Sequence, residues 1–243
     1  MRTYVYIRDD DVYSLKTNFL SFFNLFKDCH IPVIYGIIPG LLEKRLIQFL
    51  NVEKYKNPKL FDFIQHGWKH KNYSRNIKYK FEFGFGRSLF QQLNDIKRGF
   101  LKMESAFGKN FTPAFAPPYH GYDQNTIDVV NRLKIPIFSA DRFRGFLKKN
   151  FVELPTQFSL NSYDKTGSPQ LQKASFVIRL LLKNLKTCSG LLGIVAHHRA
   201  IKTSTDLEEM KKFAYFLRKL EKKKVIKFIL FSDVLKSRLI RSR

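Results

Sequence analysis

Short apolar runs of strand composition alternate along this chain with segments whose apolar residues recur every three or four positions, and that alternation most limits how it can fold. Tyr4–Arg8 reads as a strand. Leu15–Lys27 sets Leu15, Phe19, Phe22, Phe23 and Phe26 at helical spacing, and Pro32–Ile38 is a near-continuous apolar strand closed by Pro39-Gly40. A strand, a helix and a strand in that order imply a parallel pair with a crossover. The pattern recurs with helices expected over Leu42–Phe49, Ser88–Phe107, Gln124–Leu133 and Gln170–Thr187, and strands over Leu60–Gln65, Phe111–Ala116, Ile135–Ser139, Phe151–Leu154 and Leu191–Ala196. The last unit has Thr205 and Glu208 spaced as a capping box, an apolar stripe of Leu207, Met210, Phe213, Leu217 and Leu220, and a closing strand Val225–Phe231. No linker, internal repeat or low-complexity segment divides the 243 residues. The expectation is an α/β fold, a closed or nearly closed (β/α) barrel of seven or eight parallel strands, forming a single domain over residues 1–243.

In parallel α/β architectures the site lies at the carboxyl ends of the strands, so polar residues just past a strand carry the functional information. Four places qualify. Asp9-Asp10-Asp11 follow the first strand, and adjacent carboxylates repel unless a cation compensates them. Alternation in an extended segment puts Arg8 and Asp10 on one side and Asp9 and Asp11 on the other; a solvated turn or helix N-cap is the competing reading. His66 and His70 follow the strand Leu60–Gln65 and share a face if the segment turns helically, a geometry in which two imidazoles bind one metal. With one strand-end carboxylate they form a two-His-one-Asp set with open positions for water and substrate, against the plainer reading of histidines that satisfy core hydrogen bonds. Pro117-Pro118 fix the chain direction and leave the Tyr119 N–H as the first free donor, suited to an oxyanion; an ordinary proline-terminated strand would look the same. His197-His198 follow Leu191–Ala196, where a histidine could protonate a leaving group or simply face solvent beside Arg199.

The order of these pieces, from Tyr4 to Phe231, resembles the polysaccharide deacetylase (NodB-homology, carbohydrate esterase family 4-like) family. The resemblance implies a distorted (β/α) barrel of NodB-homology type and a metal-dependent carbohydrate deacetylase acting on an N-acetyl or O-acetyl group. It implies Asp10 as general base with Asp9 as the shifted alternative, and Asp11, His66 and His70 as ligands of a divalent ion, zinc by its donor set. It further implies Tyr119 as backbone oxyanion donor and His197 as general acid, with His198 as fallback. The family's third motif normally opens with an arginine that orients the catalytic aspartate; Ala116 stands there, and Arg8 is the candidate replacement. The family's fourth motif, an Asp-containing segment with a tryptophan, has no clear match; Trp68 lies inside the second motif, and Asp141 is a weak candidate.

The chain has 44 Lys+Arg against 20 Asp+Glu, a formal net charge of +24, while 44% hydrophobic and 15% aromatic residues exclude disorder as the source. The charge suits an anionic or lipid-linked glycan, an anionic membrane surface or nucleic acid, or else is a solvated lysine-rich face; the stretch Lys69–Lys80 interleaves cations with aromatics. Against nucleic acid, no recognition helix, zinc finger or RNA-binding motif is visible and the cations are spread along the chain. A catalytically impaired deacetylase-like binding protein is the alternative function. Phe81–Gly86 reads either as a rim that stacks on sugar rings or as a buried phenylalanine cluster. Acidic residues by Asp9 precede any apolar stretch, and no apolar run approaches the roughly 20 residues of a span. The expectation is therefore a protein without signal peptide or transmembrane segment, cytoplasmic or peripheral at the inner membrane face, with Cys29 and Cys188 as reduced thiols, one long-range disulfide being the alternative.

Overall fold

The computed structural model describes residues 2–75, 79–141 and 150–237; residues 76–78 of the basic stretch Lys69–Lys80 lie outside that range. The elements follow the alternating order: β1 (Thr3–Val12), α1 (Thr17–Asp28), β2 (Val33–Ile37), α2 (Lys44–Lys56), β3 (Phe61–His66), α3 (Leu89–Phe107), β4 (Phe111–Ala116), α4 (Gln124–Arg132), β5 (Ile137–Phe138), β6 (Val152–Glu153), β7 (Thr156–Ser159), β8 (Asn161–Tyr163), β9 (Pro169–Leu171), α5 (Ala174–Thr187), β10 (Leu191–Ala196), α6 (Ser204–Lys222), β11 (Ile226–Phe228) and α7 (Phe231–Lys236).

The main sheet runs β6-β5-β4-β3-β2-β1-β10-β7, every pair parallel. Its outermost strands, β6 and β7, are consecutive stretches of one segment: β6 pairs with β5 and β7 with β10. The sheet therefore curls onto itself as the distorted (β/α) barrel expected. β1 is its hub. β10 lies along Tyr4–Asp9, β11 pairs with Thr3–Val5, and β2 pairs with the far half from Arg8 to Val12.

Alternation along β1 sorts its side chains. Val5 and Ile7 join the helix-facing core with Phe19, Phe22, Phe23 and Phe26 of α1, each fully buried phenylalanine contributing roughly 1.5–3 kcal/mol. Tyr6 turns into the barrel with Ile34, Ile64, Ala114 and Ile137. There α7 forms a plug: Phe231 meets Tyr6 edge-on at 5.0 Å between ring centroids, and the Ser232 N–H donates to Asp62 near the start of β3. With the lower end filled, the upper end is where a pocket opens. Among the described residues no helix is long and apolar enough to cross a membrane, and Cys29 and Cys188 are free.

Several expectations need correction. The acidic triplet lies within β1, which extends to Val12, and not in a turn beyond it. The α6 capping box is Thr203 with Asp206, two residues earlier than expected: the Thr203 hydroxyl accepts from the Asp206 N–H and the Asp206 carboxylate accepts from the Thr203 N–H. The start of the expected helix Gln170–Thr187 is strand β9, paired antiparallel with β8, and helix begins only at Ala174. The closing strand is three residues long, and Phe231 already begins α7.

Candidate metal centre and active site

The carboxyl ends of β1, β3, β4 and β10 converge on one cavity of about 930 Å³, lined by Asp10, Asp11, His66, His70, Tyr119 and His197 among others. Arg8 and Asp10, two apart on the same face of β1, form a bidentate ion pair with both N–O distances 2.8 Å. The Arg8 guanidinium is fully buried and also donates to the Ser139 carbonyl and hydroxyl oxygens at 3.0 and 2.6 Å, crossing the barrel to the end of β5. Burial pushes the Asp10 carboxyl up, but the Arg8 and His66 charges outweigh it and bring the pKa down to about 2. Gly36 on β2 makes room: a Cβ there would lie 2.5 Å from Asp10 Oδ1 and 3.3 Å from His66 Cβ.

Asp11 departs from the expected alternation. Its φ of 66° is left-handed, the β1–β2 register shifts between Asp9 and Val12, and the side chain swings into the cavity beside Asp10 instead of following Asp9. Asp9 faces away from this cavity and is taken by His198, whose N–H and Nδ1 reach its carboxylate oxygens at 2.8 and 2.9 Å. That pairing leaves Asp10 and His197, and not Asp9 and His198, facing the pocket.

His66 and His70 meet without a helix. Gly67 and His70 have φ of 63° and 56°, so the chain turns sharply after β3. A Cβ at Gly67 would collide with the Glu82 carboxylate and the Pro118 ring. Glu82, buried, accepts the N–H groups of Trp68 and Lys69 at 3.0 and 2.7 Å and so holds this turn. Tyr119, also left-handed with φ 58°, donates its hydroxyl to the His70 carbonyl at 2.9 Å and lays its ring 4.4 Å from the His70 ring.

The fit to a metal ion can be tested on lone pairs. His66 Nδ1 lies 3.1 Å from the Ala116 carbonyl oxygen, which only accepts, so Nδ1 carries a proton and Nε2 is the nitrogen left to face a ligand. That Nε2 lies 3.5 Å from Asp11 Oδ1, and His70 Nε2 lies 2.8 Å from the same oxygen. Asp11 Oδ1 is buried and, close as the two ring nitrogens lie, makes no well-aligned hydrogen bond among the described residues. Ligand atoms of Asp11, His66 and His70 all fall within 4.8 Å of one another, close enough to share one cation. Burial pushes the His66 pKa down, but Asp10 and Asp11 outweigh it and raise it. The residues fit a divalent ion with two nitrogen ligands, one oxygen ligand and open positions. The other Asp11 oxygen is 2.8 Å from the Arg199 guanidinium.

His197 is fixed from the β8–β9 hairpin that periodicity did not reveal. Its Nδ1 donates to Asn161 Oδ1 at 2.9 Å, and the Tyr163 hydroxyl donates to Nε2 at 3.2 Å. Burial holds the imidazole pKa below its ordinary value despite the neighbouring aspartates. His120, also unforeseen, lines the cavity; its Nδ1 accepts the Asp141 N–H at 3.0 Å, and burial with the nearby Arg8 charge brings its pKa down to about 3. It is thus a neutral ring carrying its proton on Nε2. Asp141 is exposed and its backbone, by this bond, positions His120. Glu82, Asn161, Tyr163 and His120 are the site residues that sequence reasoning missed. The only available signal was their place just after or between strand-like runs.

No family model and no curated protein sequence matches this chain. Solved structures do resemble it. A Mycobacterium smegmatis protein described as a polysaccharide deacetylase superposes with a TM-score of 0.70 at 13% identity, covering 96% of this chain and 88% of the other. A family 4 acetyl xylan esterase from Clostridium thermocellum, solved with a cobalt ion, gives 0.63 at 10% identity, covering 96% and 90%. A family 4 pseudoenzyme from Bacillus anthracis gives 0.57 at 12% identity, covering 94% and 64%. The fold is that of the polysaccharide deacetylases and family 4 carbohydrate esterases, as the motif order implied.

Proposed function

We propose that the protein is a metal-dependent hydrolase that removes an N-acetyl or O-acetyl group from a sugar or polysaccharide, working as a single domain over 1–243. The observation that carries this reading is the convergence of His66 and His70 on one buried oxygen of Asp11, beside an aspartate held ionised by Arg8. A divalent ion at that trio, zinc by its donor set, supplies Lewis-acid polarisation of the acetyl carbonyl and a lowered pKa for water. Asp10 accepts the proton of the attacking water, and Arg8 does from β1 what an arginine at Ala116 does in the family. The Tyr119 N–H, at a turn directed by Pro117 and Pro118, donates to the oxyanion; loss of such a donor typically costs about 10²–10³ in rate. His197 would protonate the departing group through Nε2, since its Nδ1–H is tied to Asn161; it must first take up a proton there in place of the Tyr163 hydrogen bond, and the proton that Asp10 gains from water balances the one given up.

The test is acetate release from N-acetylglucosamine oligomers by zinc-loaded protein, with metal stoichiometry measured on the same samples. His66→Ala/His70→Ala should lose both; retained stoichiometry in that double variant refutes the assignment. The Arg199 contact to Asp11 and the alanine at position 116 favour a second reading, a catalytically impaired protein that binds anionic glycan, membrane surface or nucleic acid. Protein that stays metal-free in excess zinc and releases no acetate would establish it. A cytoplasmic site at an anionic membrane face accounts for the +24 charge, and high salt should then weaken membrane association far more than it slows saturated turnover.

A further inference from the structure

The cavity at the strand ends does not stop at the candidate metal centre. A second hollow of about 830 Å³ adjoins it, and Ser74, Phe81 and Phe85 line both. Beyond them it is lined by Tyr73, Arg75 and Arg87. The segment between the two is not a strand and turns at Gly84, so Phe83 and Phe85, two apart, face different ways. Phe83 points inward, fully buried and edge-on to Phe115 at 5.2 Å, whereas Phe85 is 76% exposed. A phenylalanine that exposed contributes little to the core, and here it stands on the ridge between two hollows. Tyr73 presents a ring already faced by cations: the Arg87 guanidinium lies 4.3 Å from its centroid and the Lys71 ammonium 5.1 Å. Arg87 is anchored by Asp95 at 2.6 Å and by the Glu82 carbonyl, so it supports the wall. Arg75 is exposed and adds a charge that Asp95 does not neutralise. No carboxylate is among the described residues lining this hollow.

We infer that this hollow is a subsite for a negatively charged sugar of an extended glycan, reached by a chain whose acetylated residue occupies the metal-centre cavity. The inference rests on the deacetylase reading for what fills that cavity. Aromatic faces attract the electropositive C–H edges of a pyranose ring, and a guanidinium pairs a carboxylate or phosphate through two parallel hydrogen bonds. Phe85 supplies the stacking ridge and Arg75 the charge recognition. Single-stranded nucleic acid also stacks on aromatics beside arginines, but a groove opening directly onto an Asp-His-His trio at the strand ends favours a glycan.

The experiment compares binding of two hexasaccharides by calorimetry at low ionic strength. Hyaluronan hexasaccharide alternates N-acetylglucosamine with a uronate; chitohexaose is N-acetylated and neutral. The wild-type protein should bind the first at least ten-fold more tightly, Arg75→Gln should erase that preference while leaving chitohexaose unchanged, and Phe85→Ala should weaken both. Equal affinity for the two sugars, a preference that survives Arg75→Gln, or hexauridylate that binds more tightly than hyaluronan with the same dependence on Arg75 and Phe85 would each overturn the inference. Binding is read without turnover, so charge-selective binding with no acetate release would sink the catalytic reading alone, and acetate release without charge selectivity would sink the subsite alone.

Discussion

Arg8→Met removes the buried charge that keeps Asp10 ionised, and its cost follows from the geometry. Asp10 has a pKa of about 2 in the folded protein against an ordinary 3.8, a difference equivalent to about 2.4 kcal/mol at neutral pH. The folded pKa is depressed, so this stabilisation is present above about pH 4 and is lost as pH falls toward 2. Without Arg8, burial dominates and pushes the carboxyl above its ordinary value, while the Ser139 carbonyl loses its donor. Breaking a buried pair from one side costs about 3–5 kcal/mol, and for a chain of this size each kcal/mol lowers Tm by about 2–4 °C. Urea melts at pH 7 in the presence of a chelator should therefore show Arg8→Met less stable by about 3–5 kcal/mol, with the deficit shrinking as pH is lowered toward 4 and the stranded carboxyl protonates. Arg8→Met/Asp10→Asn should recover at least half the loss. A single variant that costs under about 1 kcal/mol, or a double variant whose deficit equals the sum of the two singles, would refute the claim that this pair is one electrostatic unit.

Gly36→Ala drives a methyl group against Asp10 and His66; it should cost about 1–3 kcal/mol by overpacking and weaken zinc binding, both measurable by melting and zinc titration. Asn161→Asp places a carboxylate beside His197 Nδ1 and should raise the His197 pKa by about 1–3 units, seen as an upward-shifted imidazole titration by NMR. An unmoved titration would show that Asn161 does not govern that ring. Thr203→Ala should cost about 1 kcal/mol through loss of the α6 cap, whereas Thr205→Ala should be nearly silent in the same urea melts.

Most of the barrel was legible because its strands are apolar and its helices carry single stripes, as in β4, β10 and α6. In a parallel sheet those two periodicities also say where strand ends gather, which is why Asp10, Asp11, His66, His70, Tyr119 and His197 were all marked and do line one cavity. The β8–β9 hairpin was not legible. Asn161–Tyr163 and Pro169–Leu171 are three residues each, too short to show a period, yet the first of them holds both nitrogens of His197 through Asn161 and Tyr163. Glu82 was hidden for a different reason: its work is done on two backbone N–H groups fourteen and thirteen residues away, and such a bond leaves no mark in side-chain pattern. Both readings of Phe81–Gly86 hold in part, because the chain turns at Gly84: Phe83 is core and Phe85 is rim.

The first strand shows how far pattern reasoning reaches and what stops it. Two-residue alternation correctly puts Arg8 beside Asp10, so that a guanidinium from β1 holds the aspartate from within its own strand. One residue later the same rule fails. Asp11 takes a left-handed backbone where the β1–β2 ladder shifts register, so two consecutive aspartates face one cavity when regular geometry would separate them. Left-handed conformation at a non-glycine residue costs of order 1–3 kcal/mol and persists only where the surroundings over-determine it. Here the surroundings are two imidazoles and a guanidinium on Asp11. The strain is thus located at the one residue whose displacement turns a row of repelling carboxylates into one ion-paired aspartate and one ligand-ready aspartate, a separation of roles that an unbroken strand would not achieve.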